Sequence, residues 1–570
     1  MVDFIKTQNT FLNGAVAPEF FANDNLAGLA RLENMDVLAG GGITRRRGLT
    51  KLRELTHIAK LVPFSVSDTE QYIIALADEH LFILATDGTL IQDVLSPWAY
   101  SDVACVQYAQ RFGTIIFVHP DYQPYVLSKT GNTFALSAFE FSVNSDMTQN
   151  MPFMHFDDAD GITITVTANG GGNNYATFTT SSDFWTDTSV GERILLMGLQ
   201  WRIDSVTNAR VAVAYTNSTY TLPQSPISDW AEGAFSARRG WPRSITFHQN
   251  RLVFGGSRDW PSGVWMSQVG KHNNFDVGTG LDDEAIFITL TSQQRQQICT
   301  VVSSDNLQIL TSVGEWAISN KPLTPASVDI KQHTDVGSVT TRYLAPQKIE
   351  GQTVFVSRNM RDIRELSLDD LGEKYNAKDL CALSKHIMTG PIDMAYNPSR
   401  RQLFVVMSDG KMGVLNQNAG LNISAWGQYI TDGKFLSVAV LDDETFVVVK
   451  RGLVISLEKF DANALSDGDY DFEFCAAGLP LRTSGHNVSR LRIRKIVARV
   501  LNTKSLFING SRITLPNEIY ENGTDGYSGD VSIETLGTSR ECINAPWKIH
   551  GNEQLPATIL SVTVFGNYGI

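Results

Sequence analysis

One recurrence limits what this chain can become more than any other feature. Short apolar runs, each closed by a tight polar turn, repeat from Leu61 to Phe460. The fullest instance is Gly240 to Asp276, GWPRSITFHQNRLVFGGSRDWPSGVWMSQVGKHNNFD. Ser244 to Phe247 alternates polar and apolar, and His248-Gln249-Asn250-Arg251 makes a polar turn. Leu252-Val253-Phe254 is a second run; Gly255-Gly256 and a loop from Asp259 to Gly263 lead to a third, Val264 to Met266. Three short strands joined by tight turns read as an antiparallel meander. A lone meander is too small to bury both of its faces, so it must stack on others like it.

The same plan appears in LVPFSVSD and QYIIALADEHLFILATDGTLIQDV, where Asp87-Gly88 is a hairpin signal because both residues accept positive φ. It appears again in VACVQYAQRFGTIIFVHPDYQPYVLS, ICTVVSSDNLQILTSVGEWAIS, GQTVFVSRNMRDIRELS, IDMAYNPSRRQLFVVMSDGKMGVLN and FLSVAVLDDETFVVVKRGLVISLEKF. About seven units, irregularly spaced, predict an all-β chain built as a β-propeller of six or seven blades, with a pair of stacked sandwiches as the competing architecture.

Two segments break the rhythm. Residues 140–235 hold longer alternating strands and read as an inserted β-domain; Gly170-Gly171-Gly172-Asn173-Asn174 reads as a hairpin tip, since it has no lysine and opens no helix as a nucleotide loop would. Residues 461–570 predict a C-terminal β-sandwich, in which Arg490, Arg492 and Arg494 alternate with apolar residues to give one basic and one apolar strand face. Residues 1–60 read as an N-terminal arm and entry segment, leaving first blades at 61–139 and further blades at 236–460. Two helices are expected: a loose one within Pro18–Leu38, from Phe21, Leu26, Leu29, Leu32 and Val37, and one within Asn376–Met388, from Leu380, Leu383 and Ile387.

Charge and chemistry narrow the function. The formal net charge is −13 and the pI about 5.3, which disfavours tight nucleic-acid binding. Against that background Arg45-Arg46-Arg47 reads as a solvated turn or an ion-pair partner rather than a phosphate contact. The five cysteines, Cys105, Cys299, Cys381, Cys475 and Cys542, are far apart and odd in number, which points away from disulfides and structural zinc and toward a reducing cytoplasm. Neither a signal-peptide pattern nor a bilayer-spanning apolar run is expected.

No catalytic or nucleotide-binding motif is present. Asp157-Asp158-Ala159-Asp160 and the acidic stretch Asp461, Asp467, Asp469 and Asp471 read as turns before cation sites, and His248 and His272 as hydrogen-bonding residues. Ser303-Ser304-Asp305 with Glu315-Trp316 departs from a sialidase aspartate box, because Leu307 stands where glycine is required. The sequence therefore assigns no catalytic, cofactor-binding or metal residue, and leaves channel-lining and interface residues unassigned.

Several fragments, taken in order, resemble a known family. They are LVPFSVS with EQYIIAL, the Gly240–Asp276 block, ILTSVGEWAIS with LTPASVDIKQHTDVGS, VFVSRNMRDIREL, DLCALSKHI, and the close ILSVTVFGNYGI. The chain resembles the tail nozzle (tail tubular protein B) family of short-tailed bacteriophages. That resemblance implies a non-enzymatic structural virion protein, assembled in the host cytoplasm. It implies a ring, hexameric in the family, below the portal and its head-to-tail adaptor, extending the channel through which double-stranded DNA leaves without specific binding. Residues 140–235 and the C-terminal sandwich then become candidates for contacts with neighbouring subunits, tail fibres or spikes. The alternative is a monomeric β-propeller that binds or cleaves glycans; a scaffold propeller unrelated to phage is a third reading.

Overall fold

The computed structural model describes residues 2–21, 26–169, 174–368, 374–421, 423–481, 490–516, 526–541 and 545–568. The chain is all-β, and it divides into two compact units: Met1–Asp93 with Leu344–Ile570, and Val94–Tyr343.

In the first unit, strands from the N-terminal region are woven into sheets made by the rest. These are β1 (Val2–Gln8), β2 (Gly14–Ala15), β3 (Gly28–Glu33), β4 (Met35–Val37), β5 (Ile43–Arg45) and β6 (Gly48–Leu55). Four antiparallel groups of four strands form a blade series. One runs Lys60–Ser65, Gln71–Ala77, His80–Ala85 and Leu90–Leu95; another Gln347–Ile349, Gln352–Val356, Ile363–Leu368 and Tyr375–Asp379. A third runs Pro391–Asn397, Gln402–Met407, Met412–Asn418 and Ile423–Tyr429, which form one end of a ten-stranded sheet. The fourth has only three consecutive strands, Lys434–Leu441, Glu444–Arg451 and Val454–Asp461, and β6 completes it, pairing antiparallel from Ile455↔Leu55 to Asp461↔Gly48.

Consecutive residues of one strand serve different cores, which is why these strands read as unbroken apolar runs. Val447 and Val449 pack with Phe404, Val406 and Leu49, while Phe446 and Val448 pack with Leu61, Ile73 and Leu84. Sheets covered on both faces by their neighbours are propeller blades.

The second unit repeats the pattern with three blades. They are Gln107–Arg111 to Thr133–Ala138, Ser244–His248 to Ile286–Thr289, and Ile298–Ser303 to Ile330–Thr334. Here Leu252 and Phe254 face Ile116 and Val118, and Val253 between them faces Ile298 and Val301. Between the first and second of these blades lies a seven-stranded sheet drawn from Phe153 to Gly233, with its own core around Phe178, Trp185, Trp201 and Trp230.

Both expected helices are corrected. Among the described residues of Pro18–Leu38 only Pro18–Phe20 is helical, as a single 3-10 turn, and Leu29 and Leu32 lie in β3. That strand pairs with Phe474–Gly478 on one side and meets Ile423–Tyr429 on the other, so tertiary ladders override a loose helical spacing. Within Asn376–Met388, Tyr375–Asp379 is the outer strand of a blade and only Lys385–Ile387 makes a 3-10 turn.

Within residues 1–60, β1 pairs along its length with Thr558–Tyr568. The C-terminal strands do form two sheets, but neither is self-contained. One combines Arg490–Thr503, Tyr527–Glu541 and Thr558–Tyr568 with β1, β4 and β5; the other joins Phe474–Gly478 and Lys548–Gly551 through β2 and β3 to a blade.

Candidate functional site

The arginine run is an internal staple. Arg46 is fully buried and makes a two-pronged ion pair with Asp467, at 2.9 and 2.6 Å. Its Nε donates to Asn34 Oδ1 at 2.8 Å, its remaining N–H groups reach the carbonyls of Arg47 and Ile430, and its guanidinium lies 3.7 Å from the centre of the Phe472 ring. Arg45 donates to the carbonyls of Glu553, Leu555, Leu465 and Phe472. Burial, with Arg46 beside it, lowers the Arg45 pKa to about 10. These two side chains thus tie β5 to the 465–472 loop and to the segment ahead of the last strand. Phosphate has no access to Arg46.

Several other residues singled out by sequence also have structural partners. Asp461 takes the backbone N–H of Asn463 and the hydroxyl of Thr50, while Asp467 is spent on Arg46 and Asp471 accepts from Gln554. Asp158 pairs with Arg239 at 2.8 Å. His248 Nδ1 meets Ser303 Oγ at 3.0 Å. His272 receives an N–H from Arg111, and burial together with that charge lowers its pKa, so it acts as a neutral acceptor.

Glu315 accepts from Thr334 and from the Gly337 N–H, and Trp316 donates to Gln296 at 3.1 Å. Arg492 and Arg494 are exposed while Leu491, Ile493 and Ile496 are buried; the side chain of Arg490 and the tip residues Gly170–Asn173 lie outside what is described. Burial pushes the thiols of Cys299 and Cys475 up, to about 12 and about 11, leaving them unreactive as nucleophiles; Cys542 lies outside the described residues. No group of three or more metal-ligating side chains occurs among the described residues.

One cleft was not anticipated. It has a volume of about 450 Å³ and lies in the second unit, between the exit of the first blade, the inserted sheet and the entry to the second blade. Phe139 and Phe141 come from the first of these, held by edge contacts to each other, to Phe254 and to Phe275. Trp241 follows Gly240, whose φ of +81° and 2.6 Å approach of a would-be Cβ to Arg258 require glycine; the Trp241 N–H is anchored on the Pro120 carbonyl.

Two carboxylates come from the inserted sheet. Glu192 sits just beyond the capped turn Asp187–Ser189, and burial raises its pKa despite hydrogen bonds from Ser236 and the Arg238 N–H. Glu232 is also raised by burial, and Arg239 opposes that through a forked contact. These residues are scattered from position 139 to position 241, so no local motif could have announced the cleft.

No known family model and no curated protein matches the chain. Among solved structures, the RRP9 WD40 repeats align over 73% of this chain and all of theirs at 10% identity, with a TM-score of 0.34. The C-terminal WD40 domain of Sif2 covers 73% and 99% at 11% identity, with a TM-score of 0.35, and YCF48 bound to D1 peptide covers 73% and 98% at 10% identity, with a TM-score of 0.28. Superpositions this loose carry no argument, so the fold rests on the blades themselves.

Proposed function

We propose that this protein is a structural virion protein, the tail nozzle subunit of a short-tailed bacteriophage. In this role it forms a hexameric ring below the portal and adaptor and extends the DNA ejection channel. The observation that carries the reading is where the family-like fragments fall. The Gly240–Asp276 block spans the first three strands of one blade. ILTSVGEWAIS covers two strands of the next, VFVSRNMRDIREL two of another, and ILSVTVFGNYGI most of the strand that pairs with β1. The resemblance thus follows mainly the blade strands, as suits a wall-forming protein. The net charge of −13 suits a conduit that must not hold phosphate, because each lysine or arginine neutralising a phosphate adds salt-dependent affinity.

The test is native mass spectrometry of the purified protein, alone and mixed with the portal–adaptor complex of its phage, with electron microscopy of the mixture. Rings seated on the adaptor are the expected result. A protein that stays monomeric with the adaptor and hydrolyses polysaccharide overturns the proposal.

A further inference from the structure

We propose that the cleft between the first blade of the second unit and the inserted sheet binds a neutral saccharide. Its volume, about 450 Å³, lies within the range of small-molecule sites. Phe139, Phe141 and Trp241 are half-buried rather than enclosed, and Phe139 and Phe141 are braced from behind by Phe254 and Phe275. Braced rings at a cleft offer flat apolar platforms at little entropic cost, which the C–H faces of a pyranose can cover.

The polar lining supplies the complementary half. The indole N–H of Trp241, the amide of Gln149, the guanidinium of Arg193 and the carboxylate of Glu140 make no hydrogen bond or ion pair with any described residue. Among the described residues Glu192 has no ion-pair partner either, and accepts only from Ser236 and the backbone N–H of Arg238. The lining therefore holds unspent donors and unspent acceptors together, the mixture a polyhydroxylated ligand satisfies and a simple ion does not.

Charge points the same way. Among the lining carboxylates, Glu232 is paired with Arg238 and Arg239, at 3.6 and 3.0 Å, two arginines that Asp158 and Asp259 also share, and Arg193 stands beside Glu192 in the lining. A lining of mixed sign with more carboxylates than guanidinium groups does not select a phosphate. Saccharide binding is separate from ring formation: rings that bind no sugar sink this inference and leave the nozzle reading standing.

The probes are maltotetraose, cellotetraose and chitotetraose, titrated against the full chain by tryptophan fluorescence and calorimetry. At least one is expected to bind saturably. Trp241→Phe and Gln149→Ala are each expected to weaken that binding about tenfold, the equivalent of one lost hydrogen bond, with an unchanged thermal midpoint. Should Trp241→Phe fold poorly, Gln149→Ala alone carries the test. Absence of binding to all three saccharides at millimolar concentration, binding indifferent to Gln149→Ala, or saturation by an arginine-rich peptide instead overturns the proposal.

Discussion

Every N–H group of Arg46 has an acceptor, in Asn34, Asp467 and the carbonyls of Arg47 and Ile430, and each bond costs something if broken. Its charge is compensated by Asp467, both side chains being fully buried, so removing either leaves an unpaired charge away from water. Arg46→Ala is expected to cost about 3–5 kcal/mol in urea unfolding of the full chain. Asp467→Ala should cost a comparable amount, and the double variant clearly less than the sum, since the second truncation removes a charge already orphaned. Strict additivity would show that the pair is not coupled. The sequence placed Arg45-Arg46-Arg47 between turn and ion pair but could not go further. The partner lies more than four hundred positions away, in an acidic stretch that looked equally like an ordinary turn.

At the scale of elements, β6 decides whether a blade is complete. Leu49, 1% exposed, is its main purchase on the core, packing with Val447, Val449 and Phe460. Leu49→Ala is expected to cost about 2–5 kcal/mol, and hydrogen exchange should speed in Val454–Asp461. Protection retained there would mean that the three-stranded remainder holds without its fourth strand. Blade strands were legible because burial on both faces leaves unbroken apolar runs such as Leu252-Val253-Phe254, ended by turns that tolerate left-handed residues such as Gln249 and Asn250. What the text of the chain hid was pairing at long range. β3 has helix-like spacing yet is held by ladders to strands near positions 428 and 476, and β6 belongs to a sheet whose other strands begin at Lys434. The cleft was hidden for the same reason, its aromatic and polar residues being brought together only by the inserted sheet.

For the molecule as a whole, the buried acids set how stability responds to pH. Asp36, Glu192, Glu315 and Asp393 all have pKa values raised by burial. A raised carboxyl binds its proton more tightly in the folded than in the unfolded chain. Its stabilising contribution is therefore complete below the ordinary carboxylate range and is lost as pH rises through the folded value. Carboxyls lowered by partners, such as Asp461 by the Asn463 N–H and Asp530 by Arg499, act oppositely, but only as pH falls through their depressed values. The thermal midpoint is thus expected to rise as pH is lowered toward the ordinary carboxylate range and to fall again in stronger acid. Relief of net negative charge would also raise it over that range, and the two causes separate by experiment. Added salt screens net-charge repulsion between exposed groups but leaves buried groups largely untouched. Asp393→Asn removes one titration from a site where Ser437 and the N–H groups of Met394 and Val438 surround the carboxylate. It should flatten the slope even in salt, whereas a slope abolished by salt and unmoved by Asp393→Asn would assign the effect to surface charge.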